Sequence, residues 1–225
     1  MPIPAMGDVL EYARHLGLRR TLYRSAYVMA NQVVAVSIFN CLQLRPEDVN
    51  TALLASGGRY ERRFLGPGEI RRFAGALGPS GKRVAHEALA RGDACYAVLD
   101  GGRLASFSCY SPHPTPILND LMVGFDPPRW YMYGAWTPVS HRGRRLHGLG
   151  VIGASLELFE RGVPALVGVY ERTNYRSMVS AQRMGWKPCG TLFRLGVGHW
   201  TRLGGSAEAQ RIGIRLERRE LGSRV

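Results

Sequence analysis

Arg142, Gly143, Arg144 and Arg145 stand in a single turn inside the run Thr-Pro-Val-Ser-His-Arg-Gly-Arg-Arg-Leu-His-Gly-Leu-Gly, residues 137–150. A strand-like run over 129–136 leads into them. Leu146, Leu149, Ile152, Leu156 and Phe159 lead out at steps of three and four, the spacing of one helix face. The first turn of a helix has unpaired backbone N–H groups and a partial positive charge, so it can hold an anion. Three arginines beside it strengthen that field. Two readings stay open on spacing alone: a cradle for a phosphate group of a cofactor, or a solvated basic turn capping an ordinary helix.

The stretch resembles motif A of the GNAT superfamily of acyl-CoA-dependent N-acyltransferases, whose turn usually reads Arg/Gln-x-x-Gly-x-Gly/Ala. Here the frame is Arg142-Gly143-Arg144-Arg145-Leu146-His147. Arg142 matches and Leu146 takes the apolar position, while Arg145 and His147 stand where small residues are usual. A second segment, Asn174-Tyr175-Arg176-Ser177 followed by Gln182-Arg183-Met184-Gly185-Trp186, looks like motif B of the same superfamily. The order between them, helix, strand, helix, is the superfamily's order. Together the two segments cover residues 129–195, about a third of the chain.

The resemblance implies one α/β (α+β) domain with a mixed, mostly antiparallel central sheet flanked by helices. It implies an N-acyltransferase that moves an acyl group to a primary amine. The donor is acetyl-CoA or a longer acyl-CoA, or an acyl carrier protein; the crowding at Arg145 and His147 turns attention to donors other than acetyl-CoA. Donor contacts fall to Trp136, Thr137 and Val139 along the strand end and to Arg142, Gly143, Arg144, Arg145, Leu146 and His147 at the turn. Asn174 and Ser177 either contact the donor's arm or simply head a helix. The reaction needs an anchored donor, hydrogen-bond donors for a carbonyl oxygen gaining charge, and proton transfer from the attacking ammonium. Glu171 and Tyr133 are the catalytic candidates, each with a structural alternative. The Tyr that the superfamily often places seven residues after the motif B Asn is Ala181 here, which leaves the general acid open. The competing reading is a non-catalytic acyl-CoA or lipid-binding module of the same fold.

Composition frames these readings. The net charge is +13 with only Lys82 and Lys187 as lysines, so arginine supplies nearly all of it. Codon bias is one explanation; an acidic partner is the other, whether a phosphorylated donor, an acidic carrier protein, nucleic acid or an anionic membrane. Zinc-finger spacing and a repeated basic and aromatic platform are missing, which weighs against nucleic acid. Cys41, Cys95, Cys109 and Cys189 form no Cys-x-x-Cys pair, so no structural zinc site and no metal is expected, and the thiols should be reduced. No unbroken apolar run reaches membrane-spanning length and no secretory signal opens the chain, so a cytoplasmic protein is expected, with peripheral contact at the inner membrane surface as an option.

In chain order, residues 6–28 read as a basic amphipathic helix interrupted at Gly17, packed on the core or laid on anionic lipid. A β-branched strand is expected over 32–44 and helices over 69–77 and 82–91, parted by Gly78-Pro79-Ser80-Gly81. Residues 50–63 are ambiguous. Arg83 and Glu87, four apart, read as a solvated ionic face. Asp100-Gly101-Gly102 predicts a hairpin between strands 94–99 and 103–110. Residues 111–128, with five prolines, read as an irregular loop, either a substrate rim or a surface excursion. In strand 129–136, Tyr131 and Tyr133 share one face, and Gly134 suggests a bulge. Strand 164–170 should be its parallel neighbour. Strands over 190–197 and 210–218, with a loop at Gly204-Gly205-Ser206, should close the sheet.

Overall fold

The computed structural model describes residues 13–14, 17–31, 34–56, 58–197 and 200–219. Its helices are α1 (Leu18–Ala30), α2 (Pro67–Ala74), α3 (Gly78–Arg91), α4 (Leu146–Glu160), α5 (Tyr175–Arg183) and α6 (Ala207–Arg211). Its strands are β1 (Ala35–Leu44), β2 (Glu61–Phe64), β3 (Ala94–Asp100), β4 (Arg103–Ser111), β5 (Thr115–Leu118), β6 (Leu121–Gly124), β7 (Trp130–Trp136), β8 (Leu166–Glu171), β9 (Lys187–Val197), β10 (Trp200–Gly205) and β11 (Arg215–Arg218). Eight strands form one sheet in the order β10-β9-β1-β8-β7-β4-β3-β2, and β11-β6-β5 form a second. Every pairing is antiparallel except β7 with β8. The fold is therefore a mixed, mostly antiparallel sheet flanked by helices.

Strand alternation sends neighbouring side chains to opposite layers. Tyr96, Tyr110, Met132, Leu42, Leu44 and Leu166 meet Val151, Ile152 and Leu158 of α4 on one face. On the other, Cys95, Ala97, Leu99, Phe107 and Cys109 meet Ile70, Phe73 and Ala85 of α2 and α3. The small sheet covers the rest of that face, with Leu121, Val123, Phe125 and Leu216 against Phe39, Cys41, Tyr131 and Val167. Helix α4 is buried over most of its circumference, which its glycines permit. A Cβ on Gly150 would lie 3.0 Å from Val98, and one on Gly153 2.7 Å from the Tyr96 hydroxyl.

Several sequence expectations are corrected. Residues 111–128 are not an irregular loop: the β5–β6 hairpin lies within them and pairs with the C-terminal β11. Pro116 is tolerated because β5 is an edge strand. Residues 210–218 do not close the main sheet; they comprise the end of α6 and β11 of the small sheet. The main sheet closes instead with β10, which includes Gly204 and Gly205; the ring of Phe193 occupies the space a side chain at 204 would need, so glycine there serves packing in a strand and not a loop. Gly78, at φ 69, does part the two helices, closing the 3-10 turn at Gly75–Leu77, but Gly78-Pro79-Ser80-Gly81 is no linker: it is the first turn of α3, where proline's missing N–H is harmless. Gly17, at φ 85, does interrupt the N-terminal segment. The part of that segment at 6–12 and 15–16 lies outside the described residues, as do residues 32 and 33 of the first expected strand. Among the described residues, no helix is long and apolar enough to cross a membrane.

Candidate active site

The parallel neighbours β7 and β8 pair only at Trp130 with Leu166 and Tyr131 with Val167. Both strands run on, to Trp136 and Glu171, so they splay, and the main-chain groups of β7 that face β8 beyond Tyr131 have no strand partner there. Gly134, at φ 63, sits at an irregularity in the pairing of β7 with β4, in the bulge position its sequence suggested. A cleft of about 740 Å³ opens at this splay. That volume lies in the usual range for small-molecule sites.

The turn after β7 leads to the mouth of the cleft. Pro138 to Arg142 curl through one 3-10 turn at Val139–His141. Arg142 Nε donates to the Thr137 carbonyl at 3.3 Å. His141 Nε2 lies 3.5 Å from Asp100, which ties the turn to the β3–β4 hairpin. Gly143 takes φ 78, and Arg145, at φ 59 and ψ 15, is the N-cap of α4. No side chain caps α4, so the N–H groups of its first turn have no such partner. Residues 142–145 are all exposed. Leu146 is 2% exposed and packs with Leu149, Val98 and Ala105, so only its backbone faces the turn. His147 lines the cleft, and burial holds its pKa below the ordinary value.

Asn174 and Ser177 also line the cleft, across the splay. Asn174 Oδ1 accepts from the Ser177 N–H at 3.3 Å, so Asn174 is the N-cap of α5. Tyr170, next to the end of β8, lines the cleft with a buried hydroxyl that has no hydrogen-bond partner among the described residues. Burial raises its pKa.

The remaining wall is built by α3 and the β5–β6 hairpin. Arg83, Val84, Glu87 and Arg91 come from α3; residues 116–120 come from the hairpin. Asp120 at the hairpin tip accepts from Arg194 Nη1 at 2.8 and 2.9 Å, which pins the tip over the sheet. Tyr131 and Tyr133 stack with centroids 5.9 Å apart and planes 3° apart.

No protein-family model matches the sequence, and no curated protein is similar to it. Solved structures are similar at low identity. A GCN5-related glucosamine N-acetyltransferase region of a fungal multi-domain GH3 beta-N-acetylglucosaminidase aligns with TM-score 0.55 and 16% identity, over 79% of this chain and 23% of that one. The fold is that of the GCN5-related N-acetyltransferases. A GCN5-related N-acetyltransferase from Kribbella flavida aligns with TM-score 0.49 and 17% identity, over 79% of this chain and 66% of that one. A putative acetyltransferase of the GNAT family from Novosphingobium aromaticivorans aligns with TM-score 0.46 and 18% identity, over 72% of this chain and 66% of that one. The chain thus spans less than two thirds of each of these structures.

Within this GNAT fold, the sequence-derived residues fall into three groups. Trp136, Thr137, His147, Asn174, Ser177 and Tyr133 line the cleft. Val139, Arg142, Gly143, Arg144 and Arg145 stand exposed on the turn at its edge. Glu171 does not line it. Its carboxylate meets the Tyr27 hydroxyl and the charge of Arg24 from α1, and burial raises its pKa. Ala181, on α5, is wholly buried, so no hydroxyl arises there. The sequence reading gave Glu87 only a place on a solvated ionic face and missed Arg91, Asp93 and Tyr170. Arg91 continues the i, i+4 stripe of Arg83 and Glu87, and that stripe was visible. What it faces depends on α3 crossing β7, which no local pattern encodes.

Proposed function

We propose that this protein is an N-acyltransferase that takes its acyl group from a CoA thioester and delivers it to a primary amine. The observation that carries this reading is the splayed β7–β8 pair, whose open edge leads directly into a helix N-terminus with no side-chain cap. The residues present fit such a donor. The N–H groups at 146–148, with Arg142, Arg144 and Arg145 beside them, would hold its phosphates. The open edge of β7 near Trp136, Thr137 and Val139 offers main-chain partners for the amide groups of its arm. N–H groups on the same stretch serve the carbonyl oxygen as it gains charge. Tyr170, buried and unpartnered, takes the place of the hydroxyl that Ala181 cannot supply, as donor to the leaving thiolate. Asn174 and Ser177 flank the arm from α5.

The amine enters from the α3 and hairpin wall, where Glu87 and Tyr133 are the groups placed to receive it. Glu171, turned toward Tyr27, supports β8 and α1 in this reading. Acetyl-CoA, a longer acyl-CoA and an acyl carrier protein all remain donors to be compared. The reaction belongs in the cytoplasm. Exposed Leu18, Leu22 and Met29 beside Arg19 on α1 would serve any contact with an anionic inner membrane surface.

The test measures thiol release from acetyl-CoA and palmitoyl-CoA with a panel of amines, beside thermal shifts with CoA. Amine-dependent thiol release with stabilisation by CoA is expected. A second reading, the non-catalytic binding module, draws on the buried Ala181; stabilisation without turnover would select it. Neither stabilisation nor turnover would remove both.

A further inference from the structure

Behind the α3 side of the cleft, three polar side chains close on one another. The Asp93 side chain is 0% exposed, at the junction of α3 and β3. Tyr133 Oη donates to Asp93 Oδ2 at 2.6 Å. Arg91 Nε donates to the same oxygen at 2.9 Å; its Nη2 lies 2.7 Å from that oxygen in an ion pair and donates to Tyr133 Oη at 2.5 Å. The guanidinium carbon lies 5.3 Å from the centroid of the Tyr133 ring. Asp93 Oδ1 is buried without a hydrogen-bond partner among the described residues. Native folds seldom leave a carboxylate oxygen in that state, so a reason beyond packing is called for. Tyr133 and Arg91 line the cleft, whereas Asp93 sits one hydrogen bond behind them.

A phenol oxygen has one proton and two lone pairs. The proton goes to Asp93 and one lone pair to Arg91. The Cys109 thiol also lies against this hydroxyl, but a thiol is at most a weak donor, so the second lone pair is open to an ammonium. We propose that Tyr133 and Asp93 form a proton relay that removes the surplus proton from the incoming ammonium of the acceptor. This rests on the acyl-transfer reading above. An N–H bond of the ammonium breaks as an O–H bond forms at Tyr133 Oη. The phenol's own O–H bond breaks as a new one forms at Asp93 Oδ2. The nitrogen regains its electron pair, the carboxylate becomes neutral, and the total charge is unchanged. After transfer the proton leaves through the same two oxygens to water, and Tyr170, having protonated the thiolate, regains its own proton from the second N–H of the acylated nitrogen.

Each neighbour has a part in this. Burial keeps the Tyr133 phenol far above its usual pKa, so the hydroxyl passes a proton and does not store charge. Arg91 stays charged and fixes both partners. Tyr131 stacks against the ring, and Cys109 packs behind it on β4. Glu87, paired with Arg83 at 3.3 Å, stands further along the same wall of α3, where its carboxylate attracts the ammonium without touching the relay.

The test uses Tyr133→Phe, which removes the hydroxyl but keeps the ring stack and the Arg91–Asp93 ion pair. Turnover is compared between a strongly basic alkylamine and hydroxylamine, which is unprotonated at neutral pH. At pH 7 the variant should lose about 100-fold in kcat with the alkylamine and little with hydroxylamine, with unchanged KM for the thioester. The alkylamine deficit should close as pH rises and free amine replaces ammonium. Asp93→Asn should show the same pattern where circular dichroism shows it folded; if it does not fold, Tyr133→Phe decides alone. An equal deficit for both amines at every pH, or no deficit, overturns the relay. No turnover by the unmodified protein with any amine overturns the acyl-transfer reading, and the relay with it.

Discussion

Arg145 holds a left-handed backbone, φ 59 and ψ 15, at the point where the chain must enter α4. That conformation costs an L side chain about 1 kcal/mol or more, so Arg145→Gly should raise unfolding stability by about 1 kcal/mol. Urea denaturation at unchanged m-value reads this; a loss of stability would mean the Arg145 side chain makes a compensating contact. Arg142→Ala should weaken CoA binding about tenfold more than Arg62→Ala does, because only Arg142 stands beside the helix start. Equal losses would indicate diffuse charge. His147 is held below its ordinary pKa by burial. The unfolded chain then binds a proton that the fold does not, so stability is lost as pH falls below about 6.5. His147→Asn should flatten that acid limb, and an unchanged slope would contradict the assignment. At this scale the sequence spoke clearly where the signal is local: Gly134 at a bulge, Tyr131 and Tyr133 on one face. It said nothing of Asp93, whose partners come from α3 and from β7, a strand 40 residues away in the Tyr133 contact.

At the scale of elements, α4 tests how closely helix and sheet approach. Gly153→Ala would drive a methyl into the Tyr96 hydroxyl, which donates to Glu157 at 2.8 Å, and Gly150→Ala would crowd Val98. Each should cost about 1–3 kcal/mol by overpacking. Gly148→Ala is the control: its nearest neighbour would be Leu53 at 3.5 Å, an ordinary contact, so it should be neutral or stabilise by up to about 1 kcal/mol. Thermal melts of the three variants separate close packing from a general intolerance of change in α4. The helix itself was legible from Leu146, Leu149 and Ile152, all 2% exposed or less. The hairpin within 111–128 was not. Its prolines argue against a strand in general, and only the edge position of β5 makes Pro116 acceptable. Likewise Gly204 and Gly205 signal a turn until Phe193 is seen lying over them.

Across the whole molecule, the N-terminal β1 lies inside the sheet, between β8 and β9. It carries Phe39 and Cys41 into one core and Leu42 and Leu44 into the other. Removal of residues 1–44 should therefore expose both neighbouring strands and abolish cooperative unfolding, as followed by circular dichroism; a folded truncated chain would contradict the topology. The strand was readable from its β-branched run, but its place was not, because insertion between two late strands is a long-range pairing. The same limit applies to the cleft. Its floor and turn lie within one contiguous third of the chain and resemble a known motif, whereas its other wall is assembled from α3, the hairpin and β9. The most direct measurement is a residue-resolved NMR titration of backbone amides with acetyl-CoA. Saturable shifts should concentrate at 142–148 and at 132–139, the helix start and the open edge of β7. Shifts scattered over the basic surface, or saturation with those two segments unmoved, would contradict the donor site described here.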